Sequence, residues 1–339
     1  AIRRQRQMCI RDSLRIIQVC RKPGINFSIE HVFDTINREL EKRCLIQKRC
    51  LPYAYVRPYG LLRNLLFALF KCNTITHIVG EIHYAALAIR YKTIITVHDL
   101  SFIDLNSGWK RCFFYWLWYY FPLKKAIHVT CISYKVRDDI LRNFPFVRDK
   151  ISVIYNPLDP RFTYSYKKFD TIRPVILHIG TASNKNLERV IEALKSIDCE
   201  LRVIGKKRME YVALLNESGI NYQYKSNLTD EEIIEEYRQA DIISFPSLYE
   251  GFGMPIVEGQ AVGRVVLASD IEPLLDVAGP NGACFVNPYS VNSIRSGLKK
   301  IIEDEDFRNS LLKAGRQNVA RFEPSIIAEQ YFDLYKTFS

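Results

Sequence analysis

Apolar positions along the chain form two successive series of short runs separated by stretches with helical spacing. In the first series, residues 14–20, 44–56, 75–79, 93–97 and 127–132 are short apolar runs that predict strands. Between them, Ile29, Val32, Phe33 and Ile36 keep helical spacing behind a candidate cap at Ser28, and residues 60–71 read as a helix. Gly80-Glu81-Ile82-His83-Tyr84 opens a further helical stretch, and Ser133 starts a helix carrying Val136, Ile140 and Leu141. The second series opens at residues 174–180, an unbroken apolar run of the kind buried on both faces of a parallel sheet. Leu187, Val190, Ile191 and Leu194 then predict a helix, residues 201–205 a strand, and Thr229 with Asp230 and Glu231 a capped helix start. Asp241-Ile242-Ile243 end a buried strand, residues 265–268 form another, and apolar stripes predict helices over 290–303, 306–320 and 324–338. Strands alternating with helices predict an α/β chain on parallel sheets. The polar, basic stretch 157–173 divides it into domains at 14–160 and 174–323. Residues 1–13 offer no core face and are set aside as a leader or an artefact.

The chemistry concentrates where the 241–245 strand runs into the next helix. Ser244-Phe245-Pro246-Ser247-Leu248-Tyr249-Glu250-Gly251-Phe252-Gly253-Met254-Pro255 is a strand end, a glycine-punctuated loop and a helix start, the element at which open α/β sheets bind ligands. Gly251 and Gly253 permit close backbone approach or positive φ. Pro255 suits a first helical position, where its missing N–H is no loss. The free N–H groups of that turn favour an anion such as phosphate. Glu250 before the turn and Glu258 inside the helix are acceptors suited to sugar hydroxyls, so the local chemistry fits a ligand with phosphate and polyol parts. Gly180 at a strand end and Lys185 at the following helix start make a second phosphate site by position and point charge.

The run Glu250-Gly251-Phe252-Gly253-Met254-Pro255, with Glu258 eight positions after Glu250 and Gly259-Gln260-Ala261 behind it, resembles the Glu-x7-Glu signature of retaining GT-B glycosyltransferases. The likeness is to glycosyltransferase family 4, the glycosyl transferases group 1. It implies two Rossmann-like doubly wound domains facing a cleft, with residues 151–159 as the first domain's last strand and exit, and a C-terminal helix (324–339) crossing back to the first domain. It implies transfer of a sugar from a nucleotide-sugar to an acceptor hydroxyl with retention and without metal or cofactor. Glu258 would hold the ribose, Glu250 hydroxyls of the transferred sugar, and the backbone of Phe252, Gly253, Met254 and Pro255 the sugar and phosphate. Gly180, Thr181, Asn184 and Lys185 would line the donor diphosphate, with residues 222–228 as the loop near the base. The family carries an Arg shortly after the glycine and a Lys further on; Lys185 matches the Lys, and Thr181 stands near the Arg position. Half of that clamp is therefore absent, and Lys206, Lys207 or Arg208 are candidates to replace it. The resemblance points His98 at the donor sugar or its phosphate as a hydrogen-bond donor, with Asp99 beside it. Gly24 stands alone where the family has a Gly-Gly pair on the acceptor side. His83 reads either as an acceptor-side group or as a packing residue.

Charge and composition add partners. The first 170 residues hold 29 Lys and Arg against 13 Asp and Glu; the remaining 169 hold 19 against 24. A basic first half fits an anionic partner, and the run Trp109–Lys125, aromatic with basic ends, fits either a membrane interface or a buried helix. A lipid-linked or polysaccharide acceptor in envelope assembly, without nucleic acid, follows as the expected partner. Nine cysteines without metal spacing predict free thiols, hence a cytoplasmic protein, and the aromatic-basic run with the basic half adds the expectation that it is peripheral to the membrane. A glycoside hydrolase would use two carboxylates as acid and base but needs no phosphate cradle. A phosphorylase would need a cofactor lysine, and an epimerase would react without acceptor. A silent nucleotide-sugar-binding subunit is the alternative that the Thr181 departure favours.

Overall fold

A computed structural model describes residues 14–24, 27–54, 58–69 and 73–339. The expected leader, residues 1–13, and the ends of the 44–56 and 60–71 runs lie outside the described residues. The chain forms two compact units: residues up to Pro157 together with Pro324–Ser339, and Leu158–Glu323.

The first unit carries strands β1 (Arg15–Cys20), β2 (Leu45–Cys50), β3 (Ile75–Ile78), β4 (Thr93–Val97), β5 (His128–Cys131) and β6 (Ile151–Val153). Its helices are α1 (Phe27–Leu40), α2 (Pro58–Ala68), α3 (Ser101–Asp104), α4 (Gly108–Phe114), α5 (Phe121–Lys125), α6 (Tyr134–Asn143) and, from the chain's end, α14 (Pro324–Phe338). The strands are parallel in the order β2-β1-β3-β4-β5-β6. Strand order reverses direction at β1 and β3, which places a crevice beyond their carboxyl ends. The expected 44–56 strand stops at Cys50, two residues before Pro52, a residue that cannot donate to a ladder. Where a helix is expected from Gly80, the chain makes one 3₁₀ turn, His83–Leu87, whose first four residues are all buried and so leave no polar face. The terminal helix docks on this sheet: Ile327, Tyr331 and Tyr335 pack with Phe33 and Ile36. At its heart His77 bonds Tyr335 through Nδ1 and Thr96 through Nε2, both at 2.7 Å. Burial holds that imidazole's pKa down to about 3, so it is neutral. The aromatic run is one helical path, α4 and α5 joined by a π turn over Tyr115–Tyr120. Trp118 and Tyr119 are buried while Trp109, Trp116 and Phe121 are exposed.

The second unit carries β7 (Val175–Ile179), β8 (Glu200–Ile204), β9 (Asn221–Lys225), β10 (Ile242–Phe245), β11 (Val265–Ser269) and β12 (Cys284–Val286), with helices α7 (Leu187–Leu194), α8 (Met209–Ser218), α9 (Asp230–Gln239), α10 (Met254–Val262), α11 (Leu274–Ala278), α12 (Val291–Glu303) and α13 (Glu305–Asn318). Its parallel order is β12-β11-β10-β7-β8-β9. Counted from its own first strand this is 3-2-1-4-5-6, with the switch point between β7 and β10. Of residues 222–228, expected as a loop, 222–225 belong to the edge strand β9. Tyr222 and Tyr224 pack on the core while Asn221 and Gln223 face solvent, a period of two that the flanking polar residues mask. The stretch expected to separate the domains packs with this unit. Leu158 donates its N–H to the Phe322 carbonyl (2.8 Å), and the buried Asp241 carboxylate accepts from the Val175 N–H (2.8 Å), the Asp170 N–H (3.3 Å) and Lys167.

Candidate active site

The second unit's switch point brings together the turns that follow β7 and β10. After β7, Gly180 takes φ +93°, and a Cβ there would meet the Lys185 side chain at 2.8 Å. The glycine thus lets the lysine stem lie across the strand end. Lys185 Nζ reaches the Glu250 carboxylate at 2.5 Å and stands 4.8 Å over the Phe245 ring. Asn184 ties the same turns together: its side chain donates to the Tyr249 carbonyl (2.9 Å) and to Glu250 (3.4 Å), and its carbonyl accepts from the Leu248 N–H (2.7 Å). Asn186, which the sequence reading passed over, sits in the left-handed region at φ 65° and donates to the carbonyls of Pro246 and Pro288 at 2.9 and 2.7 Å. Its signal was local, because asparagine tolerates that backbone. Thr181 is buried and turns its hydroxyl to the Lys206 carbonyl (2.8 Å), so only its main chain is left to face a ligand.

After β10, Gly253 takes φ +118° and a Cβ there would meet Leu274 Cδ2 at 2.7 Å. Helix α10 starts at Met254 with Pro255 in its first turn. Phe252 is buried with its ring edge-on to Phe322 (5.8 Å), which leaves its backbone as the part able to meet a ligand. Glu258 is half-buried one turn into α10 and accepts from the Tyr237 hydroxyl. Burial pushes its pKa from near 4.5 up to about 7; the Tyr237 bond opposes that, Asp159 adds to it and Lys185 opposes it. Tyr237 comes from α9, 21 residues earlier, and no pattern in the sequence points to it.

In the first unit, His98 directly follows β4, buried, with Nε2 at 3.3 Å from the Val79 carbonyl; burial lowers its pKa and Glu81 opposes the shift. Asp99 accepts from the Ser101 N–H (2.9 Å), which holds the start of α3. Gly24, at φ +84°, donates its N–H to Glu30 at 3.1 Å. His83, expected either on the acceptor side or as a packing residue, is 1% exposed, its imidazole lies against Tyr119 at 5.3 Å, and burial lowers its pKa to about 3. A cavity of about 160 Å³ does open at this unit's own switch point, lined by Cys20, Arg21, Glu30, Val79, Gly80 and Glu81 among others, with Arg21 paired to Glu81 at 2.7 Å. Cys50 meets Cys20 across the β1–β2 pair. Among the described residues no group of three or more His, Cys, Asp or Glu could hold a metal ion.

Two families match the chain: "Glycosyltransferase Family 4" over residues 19–162 and "Glycosyl transferases group 1" over residues 166–318. The chain is 28% identical to the O-antigen chain mannosyltransferase RfbU of Salmonella typhimurium over 265 residues, 74% of this chain and 73% of that protein. It is 26% identical to the serotype-specific mannosyltransferase WbdA of Escherichia coli over 59% of this chain, which spans 27% of that longer protein. Anabaena Alr3699/HepE, solved in complex with UDP and glucose, superposes with a TM-score of 0.76 at 14% identity, covering 96% of this chain and all of that one.

Proposed function

We propose that this chain, which belongs to the family 4, group 1 glycosyltransferases of the GT-B fold, moves a hexose from a nucleotide-sugar to an acceptor hydroxyl in envelope glycan assembly, with retention at the anomeric carbon. The observation that carries this reading is the Lys185–Glu250 pair at 2.5 Å, held over two glycine turns at one switch point. An ammonium and a carboxylate that satisfy each other in the free protein suit a ligand that offers an anion to one and hydroxyls to the other. A donor diphosphate takes Lys185 and releases Glu250 to the sugar. Glu258 accepts ribose hydroxyls, and the N–H groups of Gly253 and Met254 face the sugar and phosphate. The bond between the anomeric carbon and the diphosphate oxygen breaks with its electron pair leaving on the diphosphate. The acceptor oxygen bonds on the same face, and its proton passes to the departing phosphate. Lys185 meets the charge growing on that leaving group, a contribution of ~3 kcal/mol for one well-placed donor. In this scheme His98 is a hydrogen-bond donor to the donor sugar or its phosphate, and Gly24 belongs to the acceptor side. The reaction needs no metal in this scheme, because fixed cations and backbone dipoles carry the charge.

The names of the relatives make mannose the first sugar to test, and the UDP and glucose in the Anabaena structure make UDP-glucose the second. A thermal-shift panel of UDP, GDP, ADP and CMP with their common sugars, run on wild type and Glu258→Ala, tests the site. One nucleotide should stabilise wild type and not the variant. Flat curves throughout would remove the donor site, and failure to hydrolyse a bound donor without acceptor would leave a silent binder.

The acceptor is best read as lipid-linked. The exposed faces of Trp109, Trp116 and Phe121, beside Lys110, Arg111 and Lys124, suit an anionic membrane surface. On α2, Tyr59, Leu62 and Leu66 add an exposed apolar stripe at helical spacing around Arg63. No helix among the described residues is long and apolar enough to cross a membrane.

A further inference from the structure

Two cations approach the Gly180–Thr181 turn, and only one of them, Lys185, lies on its own loop. The other is Arg208, at the start of α8 and four residues beyond the end of β8. Its Nη1 donates to the Thr181 carbonyl at 3.0 Å. Three features hold the two loops at this spacing. Thr181 bonds the Lys206 carbonyl at 2.8 Å. The Gly180 N–H donates to the Ile204 carbonyl at 2.8 Å. Gly205, at φ +156°, lets the loops close, since a Cβ there would meet the Thr181 side chain at 2.8 Å.

We propose that Arg208 is the second cation of the donor-diphosphate clamp, working with Lys185 from the neighbouring β8–α8 loop. This rests on the reading above that the turn holds a nucleotide-sugar diphosphate. Lys185 leaves Glu250 to meet the diphosphate, so one ammonium would face a group carrying two or more negative charges. A second cation within reach of the same turn relieves that imbalance. The guanidinium is prepared for the task. It lies over the Tyr211 ring at 5.2 Å, which fixes its plane, and its other edge pairs with Glu210 at 2.7 Å. Its side chain is 38% exposed, which leaves it open to a ligand. A planar fork with five donors can keep the Thr181 carbonyl and still present N–H groups to phosphate oxygens, and Lys cannot reproduce that geometry. Arg208 is thereby a binding residue for the leaving group, supplied by a different loop from the one that carries Lys185.

The test compares diphosphates with monophosphates. GDP, UDP, GMP and UMP are titrated calorimetrically into wild type, Arg208→Ala and Arg208→Lys, each checked for an unchanged circular dichroism spectrum and melting midpoint. Arg208→Ala should weaken the diphosphate that wild type binds by about tenfold or more, and shift the matching monophosphate by less than about twofold. Arg208→Lys should recover part of the loss, since it restores charge without the fork. Equal affinity of wild type and Arg208→Ala for the diphosphate overturns the inference. An equal loss for diphosphate and monophosphate also overturns it, because the arginine would then only brace the Thr181 turn. If wild type binds neither diphosphate, the donor-site reading itself fails and the clamp falls with it, an outcome distinct from the other two.

Discussion

Glu258 is the residue whose environment makes the sharpest demand on solution conditions. Its carboxyl titrates near 4.5 when the chain is unfolded and near 7 when folded, chiefly because burial disfavours the ion. The folded state therefore binds the proton more tightly. Stability is greatest below about pH 4.5 as far as this group is concerned, falls as pH rises to about 7, and is flat beyond, with a total loss on the order of 3 kcal/mol. Glu258→Gln keeps an acceptor for the Tyr237 hydroxyl and cannot ionise. Its stability relative to wild type, read from urea midpoints, should improve steadily across that window and stop improving above it. A difference that stays constant with pH would show that Glu258 is not dehydrated in the folded protein. Lys185 makes a second residue-scale case. Lys185→Ala removes the cation proposed to face the leaving group and strands the Glu250 carboxylate. The turnover number should fall about 100-fold or more, and the double variant Lys185→Ala/Glu250→Ala should be far less than additive, because the two act as one pair.

At the scale of elements, both turns depend on backbone conformations that most side chains avoid. Gly253→Ala places a methyl 2.7 Å from Leu274 Cδ2 at φ +118°. It should cost roughly 2 kcal/mol and lower the melting temperature of the second unit by about 5 °C. Asn186→Ala loses the left-handed preference and both carbonyl contacts. Asn186→Gly restores the backbone freedom alone. The glycine variant should therefore melt between wild type and alanine; equal melting of the two variants would assign the whole effect to the side-chain bonds. Helix α9 shows what a local signal suffices for. Thr229 accepts from the Glu232 N–H at 3.3 Å and Glu232 returns a bond to the Thr229 N–H at 2.7 Å, a cap written entirely within four residues.

For the whole molecule, the test is whether the apolar faces of the first unit meet lipid. Sedimentation with vesicles containing anionic lipid should carry wild type at low salt and release it as ionic strength rises. Trp109→Asp and Leu62→Asp, at exposed positions (74% and 58%), should abolish pelleting without lowering stability. Indifference of wild type to the vesicles would end the membrane reading.

The sequence by itself determined the α/β class, most of the strands and helices of both series, the helix caps at Ser133 and Thr229, and the glycine-punctuated turn after the 241–245 strand. These are local patterns: apolar period, glycine and proline placement, and the short run Glu250–Glu258. Tertiary structure decided what local patterns cannot carry. It brought Lys185 to Glu250 across 65 residues and Tyr237 to Glu258 across 21. It set Arg208 against Thr181 from a loop 27 residues on. It buried His83, an imidazole that reads as polar in any window of sequence. It assigned residues 158–173 to the second unit and the last helix to the first. Parallel strand order is the physical reason, because it gathers the carboxyl ends of strands far apart in the chain at one switch point, and nothing in the residues between them records which ends will meet.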